Sequence, residues 1–252
     1  MSLLKTSQEI KELRIIGREL GMILKQVANS VKPGITTAAL NEMAEELIEQ
    51  AGGRPCFKGY GEPYSFPAGL CVSLNEEIVH GIPGDRQVQE GDLVSLDIGM
   101  ERNGLYTDMA TTVAVGQVGQ VERELMAVTA HALQLGIAQC RAGNTLGDIG
   151  HAIQSYVEKH GFGVVRDLVG HGVGHAVHEA PAVPNYGQAG KGQVLQVGMV
   201  LALEPMVTVG SYEIAYGDDD WTIKTADDSL SAHYEHTIAI TEKGPIIITA
   251  YD

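Results

Sequence analysis

Gly91-Asp92-Leu93-Val94-Ser95-Leu96-Asp97 returns 107 residues later as Gly198-Met199-Val200-Leu201-Ala202-Leu203-Glu204. Each copy is a glycine, a strand-forming apolar run and a closing carboxylate, so Asp97 is set against Glu204. The correspondence extends upstream, where 32–52 aligns without gaps on 141–161. Both segments offer a threonine as helix N-cap (Thr36, Thr145), apolar residues at helical spacing, and a final glycine suited to a left-handed cap (Gly52, Gly161). Between these landmarks, Val79-His80-Gly81-Ile82-Pro83 is echoed by Val177-His178-Glu179-Ala180-Pro181. Downstream, Thr107-Asp108 opens one strand much as Tyr234-Glu235 opens another, the second half carrying extra residues near 211–230. A further helix precedes each half, roughly 7–30 with Thr6 and Glu9 as a capping box, and roughly 121–140. No Pro/Gly/Ser-rich linker separates the halves, roughly 1–116 and 117–252. The expected architecture is one α+β domain, 1–252, whose pseudo-twofold halves share a central antiparallel sheet covered by helices.

That symmetry gives the carboxylates their meaning. Asp97 stands in a buried-type run, and Asp108 lies on the strand that returns after the turn signal Asn103-Gly104. The spacing puts the two side chains opposite or diagonal on one face of a hairpin. Like charges so placed repel unless a cation lies between them, and an isolated pair is more simply read with one member in solvent. Glu204 ends an apolar run immediately before Pro205, and Glu235 lies between Tyr234 and the stretch Thr237-Ile238-Ala239-Ile240. Singly, each is readable as a salt-bridged core acid. Four carboxylates at repeat-equivalent positions favour a shared cation site.

Gly170-His171-Gly172-Val173-Gly174-His175-Ala176-Val177-His178 adds three histidines. A helix would bring them to one face, but the alternating glycines favour a strand or loop. There His171 and His175 share a face, with His178 on the other unless the chain bends; His175 reads as a packing or surface histidine. Oxygen ligands with one or two imidazoles suit Mn²⁺, Fe²⁺, Co²⁺ or Zn²⁺ better than Ca²⁺ or a thiolate zinc site. The sequence has no H-E-x-x-H, G-x-S-x-G or G-x-x-x-x-G-K-[ST].

Composition narrows the classes further. The 252 residues carry 17 Lys+Arg against 32 Asp+Glu, a net charge of −15, which argues against a specific nucleic-acid surface. A basic stripe on the first helix (Lys11, Arg14, Arg18, Lys25) is readable as a docking face or simply as a solvated one. No apolar run is long enough to span a bilayer and no signal peptide opens the chain, so no membrane partner is expected. Three dispersed cysteines without a C-x-x-C favour a reducing, cytoplasmic setting.

Asp97, Asp108 eleven residues on, His171 in G-H-G-V-G-H, Glu204 in L-E-P-M-V and Glu235 in Y-E-H-T together resemble the five-ligand site of the methionine aminopeptidases. Further motifs carry the resemblance over nearly the whole chain: V-K-P-G, C-V-S-L-N-E, V-H-G-I-P and D-D-W-T-I-K-T-A-D-D-S-L-S-A-H-Y-E-H-T. It is closest to the short type I form, without the long insertion, zinc-finger extension or added N-terminal domain of other branches. The resemblance implies the pita-bread fold and two divalent ions (Co, Mn, Fe, Zn or Ni) on Asp97, Asp108, His171, Glu204 and Glu235, with Asp108 and Glu235 bridging. It further implies Glu204 as general base, His178 on the scissile amide or tetrahedral oxyanion, and His80 on the substrate backbone. The methionine pocket is implied near Phe57, Tyr60, Cys71, Val177 and Trp221, and a monovalent cation near Asn75 and Ser231. Val177, His175 and the length of the 60–71 loop depart from many bacterial members and bear on pocket shape. The implied activity is a cytoplasmic, monomeric metalloexopeptidase that removes the initiator methionine from nascent chains with a small second residue, with transient ribosome contact. The rivals are a non-catalytic pita-bread peptide-binding module and an Xaa-Pro aminopeptidase of the same fold.

Overall fold

Among the described residues, side-chain capping fixes where three of the four helices begin. The computed structural model describes residues 4–250, and in it α1 spans Ser7–Ser30, α2 Thr37–Gln50, α3 Gln120–Gln139 and α4 Leu146–Lys159. Thr6 Oγ1 accepts from the Glu9 amide at 3.2 Å while Glu9 Oε2 accepts from the Thr6 amide at 2.7 Å, a reciprocal capping box. Thr145 and Asp148 repeat that box on α4, at 3.3 and 2.7 Å. Thr36 caps α2 through the Ala39 amide at 3.1 Å. Gly52 and Gly161 follow α2 and α4 with φ of +73° and +81°, the left-handed geometry expected at both ends.

The helices bury their apolar stripes on two matching cores. In the first half, Leu13, Ile16, Leu20 and Leu24 of α1 and Leu40 and Ile48 of α2 pack with Val94, Leu96 and Ile98. In the second, Leu125 and Leu133 of α3 and Ile149, Ile153 and Val157 of α4 pack with Leu201, Leu203, Ile238 and Ile240.

Strand Leu93–Arg102 turns at Asn103 (φ +57°) and Gly104 (φ +78°) into Leu105–Ala114, as the two-residue hairpin signal predicts. Asp97 pairs with Ala110 and Gly99 with Asp108, so the two aspartates are diagonal neighbours on one face. Leu70–Leu74, with Cys71 opposite Asp97, and the short Arg54–Pro55 complete this sheet. In the second half, Val200–Leu203 is flanked by His236–Thr241 and Gly170–Gly172, with Gly244–Ile247 and Glu179–Val183 at the edges.

The expected central sheet is divided into a four-stranded and a five-stranded antiparallel sheet, with two three-stranded sheets beside them. Pro205 is one physical reason: without an amide hydrogen it interrupts pairing between Leu203 and Met206. The large sheets are sewn together along one seam. Glu235 donates its amide to the Ala110 carbonyl at 2.9 Å. The Thr237 hydroxyl accepts from the Asp108 amide at 3.0 Å and donates to its carbonyl at 2.8 Å. This seam sets the repeat-equivalent Asp108 and Glu235 side by side.

Candidate active site

Five side chains converge on the seam. Asp97 and Asp108 come from the first hairpin, His171 from Gly170–Gly172, Glu204 from the residue after Val200–Leu203, and Glu235 from the residue before His236–Thr241. Ligand atoms of Asp97, Asp108 and Glu235 lie within 4.8 Å of one another, as do those of His171, Glu204 and Glu235, and of Asp108, His171 and His178. Asp108 and Glu235 therefore each belong to a group on the Asp97 side and to one on the His171 side.

Close approach of strands around His171 explains the alternating glycines. A Cβ on Gly172 would sit 2.2 Å from the Ala180 carbonyl oxygen, and one on Gly170 would sit 2.3 Å from that of Ala202. The chain then bends at Gly174 (φ +133°), which returns His178 to His171 with ring centroids 4.4 Å apart. His175 departs from His171 and meets Glu9 of α1, Nε2 to Oε1 at 2.8 Å. The parity of an unbent strand is thus reversed: His178 joins the site and His175 serves the packing of the N-terminal helix.

Burial pushes the Asp97 carboxyl up to about 7 and those of Asp108, Glu204 and Glu235 well above the carboxylate range. Repulsion among the four adds to it. Asp97 Oδ1, Asp108 Oδ1 and Glu235 Oε1 are buried with no hydrogen-bond partner among the described residues. His171 is more telling still. Its Nδ1 lies 2.9 Å from the Gly172 carbonyl, which only accepts, so Nδ1 carries the proton and Nε2 presents a lone pair. That lone pair faces Glu204 Oε1 at 3.4 Å and Asp108 Oδ2 at 3.9 Å. Burial, assisted by His178, holds His171 down to about 4, so the imidazole is neutral at pH 7. An electron pair aimed at carboxylates calls for a cation among them, and one imidazole with four carboxylates suits a divalent ion of intermediate hardness.

A cavity of about 120 Å³ opens beside this cluster. Phe57, Tyr60, Cys71 and Trp221 line it, together with His80 and His178. Tyr60 meets His178 edge-on at 4.8 Å, and Trp221 meets Phe66 at 5.3 Å and His80 at 6.0 Å. Val177 is buried in the same apolar cluster as Phe57, Phe66 and Cys71 but lies behind the lining. Burial holds His80 down to about 4, His178 adding to it, and lowers His178 as well, so both are neutral. Burial also raises the Cys71 thiol well above its usual range, next to Asp97 and Asp108, so Cys71 is packing rather than a nucleophile. Phe66 and Val79 join the lining, and His233 sits behind Glu204, without having been singled out in the sequence.

Across residues 11–242, the sequence matches the profile of metallopeptidase family M24. The chain belongs to metallopeptidase family M24. Its M24 relatives include the methionine aminopeptidase of Clostridium perfringens, 47% identical over 99% of both chains, and methionine aminopeptidase 1 of Bacillus subtilis, 45% identical over 99% of both. The methionine aminopeptidase structure from Rickettsia prowazekii superposes with a TM-score of 0.95 at 38% identity, covering 98% of this chain and 99% of the other. A prolidase from Pyrococcus horikoshii shares the fold at 21% identity and a TM-score of 0.78, the match covering 64% of that longer chain. The pita-bread M24 fold is thus this chain's fold, and the buried donor cluster at the sheet seam fits the divalent-metal use of the family.

Proposed function

We propose that this chain is a metal-dependent methionyl aminopeptidase, one catalytic domain that removes the initiator methionine from nascent chains whose second residue is small. The observation that carries the reading is the unprotonated His171 Nε2 facing two carboxylates beside an aromatic-walled cavity. Full-length relatives bearing the name methionine aminopeptidase support the substrate class. Asp97, Asp108, His171, Glu204 and Glu235 would hold two divalent ions, with Asp108 and Glu235 shared between them. When bound, such ions lower the pKa of a water and polarise the first peptide carbonyl.

The chain's own residues divide the remaining work. Glu204, ionised once cations compensate its burial, takes the proton from the attacking water and passes it towards the departing amine. His178 and His80 line the cavity and, neutral at pH 7, each retain one ring N–H to donate. His178 hydrogen-bonds the scissile amide or the oxyanion that develops there, and His80 contacts the substrate backbone. Phe57, Tyr60, Cys71 and Trp221, with Val177 behind them, hold the methionine side chain and exclude water. Asn75 and Ser231 lie together at a turn, the Ser231 hydroxyl 3.0 Å from the carbonyls of Asn75 and Glu77, where a monovalent cation would find oxygen donors. Transient contact with the ribosome would use the basic stripe of α1, Lys11, Arg14, Arg18 and Lys25, beside which Ile15 and Met22 are exposed. Among the described residues no helix is long and apolar enough to cross a membrane; the reading places a monomeric enzyme in the cytoplasm, where nascent N-termini emerge.

Glu204→Gln tests the division of labour. It should retain much of its metal and lose methionine release by about 10²-fold or more, the range of a removed general base. Wild-type turnover in that variant removes Glu204 as the base.

A further inference from the structure

Glu204 has a second imidazole neighbour. His233 ends the strand Ser231–His233, and its main chain is fixed: the amide donates to Thr112 Oγ1 at 2.8 Å, and the carbonyl accepts from that hydroxyl at 2.9 Å. The residue is 1% exposed, and neither ring nitrogen has a hydrogen-bond partner among the described residues. Its Nε2 lies 3.7 Å from Glu204 Oε2, while Glu204 Oε1 faces His171 Nε2 at 3.4 Å. The two oxygens of one carboxylate are therefore divided between two imidazoles of opposite character. His171 has committed its N–H to the Gly172 carbonyl and presents a lone pair. No such carbonyl engages either nitrogen of His233, so its N–H is available to the carboxylate.

We propose that His233 is a positioning residue for Glu204, directing Nε2–H at Oε2 and so turning Oε1 towards His171. The separation of 3.7 Å exceeds a hydrogen bond, so the proposal requires the carboxylate to turn about its last side-chain bonds and close it. The main chain need not move: the Asn185 side-chain Nδ2 donates to the Glu204 carbonyl at 3.0 Å and anchors it. Partners of this kind fix a ligand's orientation, and their loss weakens metal binding or turnover by about 10–100-fold. The inference rests on Glu204 being both ligand and base.

The test compares His233→Leu, which keeps bulk without a donor, with His233→Gln, which keeps an N–H. Co²⁺ is titrated into each metal-stripped protein by calorimetry, and the loaded proteins are assayed on Met-Gly-Met-Met. His233→Leu should weaken Co²⁺ binding by about tenfold and lower kcat by about tenfold, with KM within about twofold; His233→Gln should restore most of both. Co²⁺ affinity and kcat within about twofold of wild type in His233→Leu overturn the proposal. Equal losses in both variants also overturn it, since they mark His233 as packing alone. Should His233→Leu fail to fold, ¹⁵N spectra of the Zn²⁺-loaded wild-type protein decide. A proton on His233 Nε2 that shifts in Glu204→Gln supports the proposal, and an Nε2 without a proton refutes it. Glu204→Gln with wild-type metal affinity and turnover overturns the reading of Glu204 itself, a result distinct from an unchanged His233→Leu.

Discussion

Asparagine at position 97 should stabilise the metal-free protein and destabilise the metal-loaded one. Burial raises Asp97 from 3.8 to about 7 in the folded chain. A folded-state pKa above the unfolded one means that folding favours the protonated acid. Its stabilising share is fully present below pH 3.8 and is lost as pH rises through about 7. The difference, at about 1.4 kcal/mol per pH unit, sets an upper value of roughly 4 kcal/mol of strain at pH 8. Removing this charge also relieves Asp108, Glu204 and Glu235, which its repulsion pushes upward, so the coupled effect has the same sign. Buried histidines act oppositely. His80 and His171, held down to about 4, contribute stability above 6.5 that is lost as pH falls through 4. The wild-type profile mixes both trends, whereas the difference between variant and wild type isolates the carboxylate. Urea unfolding in chelator at pH 5 and pH 8 provides the assay. Asp97→Asn should be more stable by about 2–4 kcal/mol at pH 8, with a smaller margin at pH 5. Excess Mn²⁺ should reverse the order, because losing a ligand weakens the binding that stabilises the folded state. An Asp97→Asn variant less stable than wild type in chelator at pH 8 refutes the reasoning.

Three further outcomes follow from the geometry. Gly172→Ala brings a Cβ within 2.2 Å of the Ala180 carbonyl, so the strand bearing His171 must shift; Mn²⁺ affinity measured by calorimetry should fall by about tenfold or more. His178→Ala should lower kcat by about 10²–10³-fold while elemental analysis finds the metal content unchanged. Trp221→Ala opens the cavity wall shared with Phe66 and His80, and should raise KM for a methionyl peptide with little change in metal affinity, read by steady-state kinetics and calorimetry.

Local chemistry made the helices legible. Thr6 with Glu9, Thr36 and Thr145 each announced a helix start that the structure contains, and Gly52 and Gly161 announced two ends. Asn103-Gly104 announces the hairpin, and the internal repeat pairs Asp97 with Glu204 and Asp108 with Glu235. What stayed hidden depends on contacts between distant segments. The bend at Gly174 that exchanges His175 for His178 is packed against Glu9 of α1 and against Lys5, which precedes that helix and pairs with Glu179. Phe66 lies in an irregular segment with no periodicity to mark it. His233 sits in a short buried strand, where a histidine reads as core; only its approach to Glu204 distinguishes it. Division of the central sheet into separate sheets likewise follows in part from Pro205, and their joining from the seam of Asp108, Ala110, Glu235 and Thr237, which strand patterning does not encode.

Release of free methionine is the most direct test of the central claim. The protein, stripped of metal and reconstituted with Mn²⁺, Fe²⁺ or Co²⁺, is offered Met-Gly-Met-Met and an Xaa-Pro peptide side by side. Metal-dependent release from the methionyl peptide, with the Xaa-Pro peptide cleaved at least about 10²-fold more slowly, is the predicted result. Failure to release methionine with any of the three metals, or faster cleavage of the Xaa-Pro peptide, contradicts the account.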